Sequence, residues 1–198
     1  MNYLAHAYLS FNHPQVLLGN MISDFVKGKL QYQYPAAVQT GIVLHREIDR
    51  FTDAHPATKE IAAVFKPQYR LYSGAIADVL YDYYLANDHS QFESREQLML
   101  FTEQCFKDLQ ANSKWFPTRF AAMFPYMREQ NWLYHYQFHW GVQKSLQGLA
   151  KRARYMPDSK PAFELFLANE AILKNCYQLF FPDVKKHAIQ IMAQLSKD

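Results

Sequence analysis

Apolar positions along this chain return every three or four residues, and no window sustains the strict alternation of a strand. Cut by proline and polar clusters, that rhythm predicts helices at about 2–10, 14–28, 35–51, 57–66, 69–87, 93–112, 117–128, 130–153, 161–172 and 182–196. Pro14, Pro35, Pro56, Pro117, Pro161 and Pro182 all suit a first helical turn, where no backbone donor is needed. The segment 156–160 holds Pro157, Asp158 and Ser159 and reads as a loop. The expected class is all-α, with about 8–10 helices in one domain over residues 1–198.

Three of these apolar stripes turn acidic. They run Leu17, Met21, Asp24; then Val38, Ile42, His45, Asp49; then Leu71, Ala75, Asp78, Asp82, Leu85. Each set steps by three and four, so its members share a helix face. A buried carboxylate is costly unless it is paired or bound to metal. The pattern predicts that three helices bring Asp24, His45, Asp49, Asp78 and Asp82 to one interior point. Oxygen and imidazole ligands of that kind suit Mg, Mn, Fe or Zn.

Other groups are weaker candidates. His6, within Asn2-Tyr3-Leu4-Ala5-His6-Ala7-Tyr8, reads either as a core histidine or as a group at that centre. Asp53 or His55 either caps the helix that follows Pro56 or lies over the site. His135 and His139 stand one helical turn apart, but Tyr136 occupies the place of a zincin glutamate, so the pair reads as mainly structural, with contact to the site as the alternative. The stretch 144–154 is basic and amphipathic, with Lys144, Lys151 and Arg152 near one face. It reads as a solvated face or a dock for an acidic partner.

Composition narrows the class further. The chain has only 6 glycines against 14 Tyr and 15 Phe, which favours helices over a turn-rich sheet protein. A net charge of +3 is too mild to indicate a nucleic-acid binder. Cys105 and Cys176 sit among aromatic residues and read as reduced core thiols, which fits a cytoplasmic location. No basic region followed by an apolar run opens the sequence, and no stretch approaches membrane-spanning length.

Several runs together resemble the acyl carrier protein phosphodiesterases, also called ACP hydrolases. They are Met1-Asn2-Tyr3-Leu4-Ala5-His6-Ala7, Leu18-Gly19-Asn20-Met21-Ile22-Ser23-Asp24, Gly41 through Pro56 and Asp78-Val79-Leu80-Tyr81-Asp82. The likeness is specific over the first 90 residues or so and weaker later, where Asn131-Trp132-Leu133 and Lys151-Arg152 still fit. It implies a divergent HD-type phosphohydrolase, all-helical and dependent on a divalent cation, with manganese favoured and Mg or Fe also suitable. The implied reaction releases 4′-phosphopantetheine from holo acyl carrier protein. The chain has no adjacent His-Asp dipeptide, so its ligands must come from another arrangement. The resemblance carries over Asp24, His45 and Asp78 as metal ligands, with His6 after them. Asp49 and Asp82 follow as a further ligand or as groups that orient water, and Arg46 or Arg50 as the phosphate's counter-charge. The partner implied is acyl carrier protein, with neither nucleic acid nor membrane. Two other classes stand beside this one: an HD-type enzyme acting on a nucleotide or small phosphoester, and a non-catalytic helical protein whose acids pair with Arg46 and Arg50.

Overall fold

A computed structural model describes residues 1–195, and every regular element in it is helical. Among the described residues there are eleven α-helices: α1 Tyr3–Tyr8, α2 Pro14–Ile22, α3 Ala36–Ala54, α4 Pro56–Tyr69, α5 Ser73–Ala86, α6 Arg95–Ala111, α7 Thr118–Glu129, α8 Trp132–His135, α9 His139–Arg152, α10 Lys160–Ala168 and α11 Glu170–Leu195. Short 3-10 turns cover Ser23–Phe25, Gly28–Gln33, Arg70–Tyr72 and Ser113–Trp115. No helix of the described residues is long and apolar enough to cross a membrane. Cys105 and Cys176 are both free and buried.

The closest pairing is α2 on α3. Gly19 and Gly41 face each other there, and a Cβ on either would run into backbone: Val38 O for Gly19, Val16 O for Gly41. Only glycine at both places lets the two backbones come so near. Helix α1 packs on α2 and α5, and α11 runs along α3 and α4. The shared core includes Leu4, Leu18, Ile42, Ile48, Leu80 and Phe180, all fully buried. Tyr81 stacks on Phe180 at 4.1 Å, and its hydroxyl lies 2.7 Å from Thr58 Oγ1, so a buried polar tip is satisfied.

Five of the six prolines expected in a first turn stand at a helix start. Pro14 and Pro56 open α2 and α4, Pro161 is second in α10, and Pro35 and Pro117 stand just before α3 and α7. Pro182 does not. It lies inside α11, which begins at Glu170 rather than at 182. The ring removes a donor there, but Pro182 and Gln178 both face solvent, so water can serve the Gln178 carbonyl. The expected end of this helix at 196 lies outside the described residues.

Three other expectations need correction. The predicted helix 130–153 is two, because the chain turns at 136–138 between α8 and α9. Gly141 permits the turn, since a Cβ there would meet the His135 carbonyl. His135 and His139 therefore do not share one helix face. Helix α2 ends at Ile22, so Asp24 stands in a 3-10 turn and not on a continuous helix. Leu71, read as the apolar start of a stripe, is 97% exposed, because the chain enters α5 through the turn Arg70–Tyr72 with Arg70 at φ 47°.

Candidate metal centre

Two histidines from different helices converge on one carboxylate. His6 on α1 and His45 on α3 stack with ring centroids 3.9 Å apart and planes 15° from parallel. Their Nε2 atoms both face Asp49. His6 Nε2 is 3.2 Å from Asp49 Oδ1, and His45 Nε2 is 3.1 Å from Asp49 Oδ2. His45 and Asp49 lie one turn apart on α3, the spacing that puts two side chains on the same face. Asp24 closes the open side, with Oδ1 at 3.3 Å from His45 Nε2. Both histidines are buried, Asp49 is half-buried and Asp24 is exposed, so the cluster forms an edge of the protein facing solvent and not a closed interior point.

The electrostatics drive the two rings apart. Burial, reinforced by the neighbouring His45, lowers the His6 pKa to about 4. Burial also opposes charge on His45, but the adjacent Asp24 and Asp49 carboxylates outweigh it and raise that pKa to about 9. For Asp49, burial favours the neutral acid, yet the two imidazoles and the Met1 ammonium hold it well below the usual carboxylate range. A site that supports a positive charge so strongly suits a cation.

The donor set fits a metal ion on two counts. His6, His45 and Asp49 each offer a ligand atom within 4.8 Å of the others. His45 Nε2 is also a buried polar atom that makes no well-formed hydrogen bond, although two carboxylates stand near it. Buried polar atoms without partners are uncommon, and an ion is one of the explanations for them.

The other expected ligands occupy different places. Asp78 lies beside the trio: its Oδ1 and Asp49 Oδ1 are each 3.1 Å from the Met1 ammonium. Burial raises the Asp78 carboxyl, and that ammonium opposes the rise. Asp82 is fully buried and turned to α1. It accepts from Leu4 N at 2.8 Å and Ala5 N at 3.0 Å, so a side chain of α5 satisfies donors in the first turn of α1. Arg46 donates to Gln31 Oε1 at 2.6 Å and to Val26 O at 3.0 Å, tying the segment 26–31 to α3. Arg50 pairs with Glu47 at 2.6 Å. Neither arginine pairs with the clustered acids, which face the Met1 ammonium and the two histidines instead.

Of the weaker candidates, His55 caps α4 by accepting from Ala57 N at 3.2 Å, and Asp53 is exposed in the last turn of α3. His139 sits away from the trio, with Nε2 at 2.9 Å from both Tyr83 Oη and Glu170 Oε1. The basic residues Lys144, Lys151 and Arg152 are all exposed on α9. Burial and the Asp24 charge push the Tyr3 phenol up to about 12, while Arg152 opposes them. The end of α9 thus reaches the Tyr3 side of the centre. One participant was passed over in the sequence. Asn20 is fully buried on α2; its Oδ1 is 2.8 Å from His6 Nδ1 and its backbone oxygen is 2.7 Å from His45 Nδ1. Its signal was a polar residue inside the apolar run Leu17-Leu18-Gly19-Asn20-Met21.

Fold and site together define an all-α protein with a candidate His-His-Asp metal centre on its surface. The sequence profile of the family described as acyl carrier protein phosphodiesterase matches residues 1–184. Acyl carrier protein phosphodiesterases of Yersinia pestis and Serratia proteamaculans are each 30% identical over 188 residues, covering 95% of this chain and 97% of theirs. That of Pectobacterium atrosepticum is 34% identical over 136 residues, covering 69% of this chain and 70% of its own. No solved structure matches the chain. The chain belongs to the acyl carrier protein phosphodiesterase family.

Proposed function

We propose that this protein is a phosphoric diester hydrolase that acts on acyl carrier protein, releasing 4′-phosphopantetheine from the holo form with a divalent cation, manganese first among the candidates. Family membership along nearly the whole chain supports the substrate. The convergence of His6, His45 and Asp49 on one point carries the metal-centred chemistry.

In this reading His6, His45 and Asp49 hold the ion. A bound divalent cation lowers the pKa of its water and offsets charge on phosphoryl oxygens. Asp24 stands at the solvent side of His45, where it can orient the attacking water and take its proton. Asp78 sets the charge of Asp49 from the side, through the ammonium both acids share. Asp82 and Arg46 act by position: one fixes α1, which carries His6, and the other fixes the segment after Asp24. The exposed basic end of α9 supplies complementary charge for an acidic carrier, which mainly speeds encounter and sets orientation.

Substrate class is tested with a panel. The manganese-loaded protein is offered holo carrier protein, cyclic and linear nucleotides, and simple phosphodiesters. Turnover of the carrier far above all small esters supports the reading. A nucleotide or small ester used better than the carrier overturns it.

A further inference from the structure

The side chain and the backbone oxygen of Asn20 both reach the two imidazoles. Its Nδ2 lies 2.9 Å from His6 O and 3.1 Å from Ser10 Oγ. A backbone carbonyl only accepts, so the NH2 group must face it, and the orientation of the amide is fixed. Oδ1 then faces His6 Nδ1 at 2.8 Å. An amide oxygen also only accepts, so His6 Nδ1 must carry a proton. The same holds for His45, whose Nδ1 lies 2.7 Å from the Asn20 backbone oxygen.

A neutral imidazole with its proton on Nδ1 has its lone pair at Nε2. Both Nε2 atoms face the Asp49 carboxylate, at 3.2 and 3.1 Å, and His6 Nε2 also lies 3.2 Å from the Met1 backbone oxygen. With both rings neutral, lone pair would meet lone pair across that gap, and a cation seated there would relieve it. The close approach of α2 and α3 at Gly19 and Gly41 brings the Asn20 carbonyl within reach of His45.

We propose that Asn20 is the positioning residue of this centre: with one amide and one carbonyl it holds both histidines in the Nδ1–H form, so that Nε2 of each is the ligand atom. The inference rests on the metal-centred reading above. Outer partners of ligating histidines set tautomer and ring orientation in this way, and their loss typically costs about 10–100-fold in metal affinity or activity. The two halves differ in how they answer substitution. The His6 half uses a side chain and can be removed, whereas the His45 half uses backbone and survives.

Two variants separate positioning from simple core packing. Asn20→Leu keeps the bulk and removes both functions of the amide. Asn20→Asp keeps an acceptor for His6 Nδ1 and loses the donor to His6 O. Two readouts are taken: imidazole nitrogen NMR on the metal-free protein, and Mn2+ affinity by calorimetry. The wild type should show His6 with its proton on Nδ1. Asn20→Leu should lose that preference and bind Mn2+ about 10–100-fold more weakly. Asn20→Asp should keep the tautomer and bind near wild-type strength. A wild-type His6 protonated on Nε2 overturns the proposal, whether or not either variant folds. So does equal weakening in both folded variants, which would mark a packing role. If the tautomers behave as stated and the wild type binds no metal, Asn20 still positions the rings and the metal-centred reading is what fails.

Discussion

His6 and His45 stack face to face at 3.9 Å although they come from different helices, and their Nε2 atoms point the same way, at the carboxylate of Asp49. Stacked imidazoles that share a target have little reason to meet in a packing core. The arrangement makes sense when a cation takes up what the two rings and the carboxylate present.

Removing any member of the trio should therefore abolish function while leaving a folded protein. His6→Ala, His45→Ala and Asp49→Ala should each weaken Mn2+ binding and carrier turnover by more than the roughly 10–100-fold expected for an outer partner. Circular dichroism should remain helical. His139→Ala, which touches Tyr83 and Glu170 instead, should cost little activity. If the variants rank the other way round while folded, the centre has been placed wrongly.

Asp82 and Asp24 should separate by stability. Asp82→Ala leaves the Leu4 and Ala5 donors buried without partners, at about 1–3 kcal/mol for each such group. In a domain of this size that lowers the melting temperature by roughly 5 °C or more. Asp24 is exposed, so Asp24→Ala should melt like the parent and yet lose turnover. A melting point unchanged in Asp82→Ala, together with lost turnover, would return Asp82 to the chemistry.

Fold class and most helix starts were legible because they depend on local rules: a period near 3.6, and prolines that suit a first turn. Where local rules fell short, tertiary contacts decided. Pro182 sits inside α11 because its turn faces water. The break between α8 and α9 depends on Gly141 meeting the His135 carbonyl, a contact no stripe reveals. At the centre, the acidic turns of the three stripes bring Asp24, His45, Asp49 and Asp78 near one another. Asp82 shares its face with Asp78, yet α1 claims it from the other side. His6 ranked last among the ligands because one histidine in a short helix has no periodic signal, and only the packing of α1 on α2 brings it to His45.

Asp88 gives a test of acid stability away from the centre. Its carboxylate accepts from Tyr177 Oη at 2.7 Å and from Ser90 N at 2.9 Å. Burial works against the charge, but the hydrogen bonds from Ser90 and Tyr177 outweigh it and the pKa is lowered. A depressed folded pKa contributes stability above the ordinary carboxylate range, and that contribution is lost as pH falls through the folded value. Asp88→Asn should thus melt below the parent at pH 7, and the gap should close as pH falls through and below the ordinary carboxylate range. A gap that stays constant down the acid limb would show that the charge is not what matters.

The basic end of α9 should act on the partner alone. Reversing Lys151 and Arg152 to Glu should slow turnover of holo carrier protein, and more so at low salt, where repulsion is less screened. Mn2+ affinity should not change, because the trio is untouched. Equal turnover at low salt would place docking on another face.

The central claim is that a cation held by His6, His45 and Asp49 is required to remove the prosthetic group from the carrier. The direct measurement is mass spectrometry of holo acyl carrier protein incubated with protein stripped by a chelator, before and after manganese is restored. The account predicts no change without metal and, with it, a mass loss equal to phosphopantetheine. Undiminished conversion by stripped protein in which elemental analysis finds no metal would contradict it.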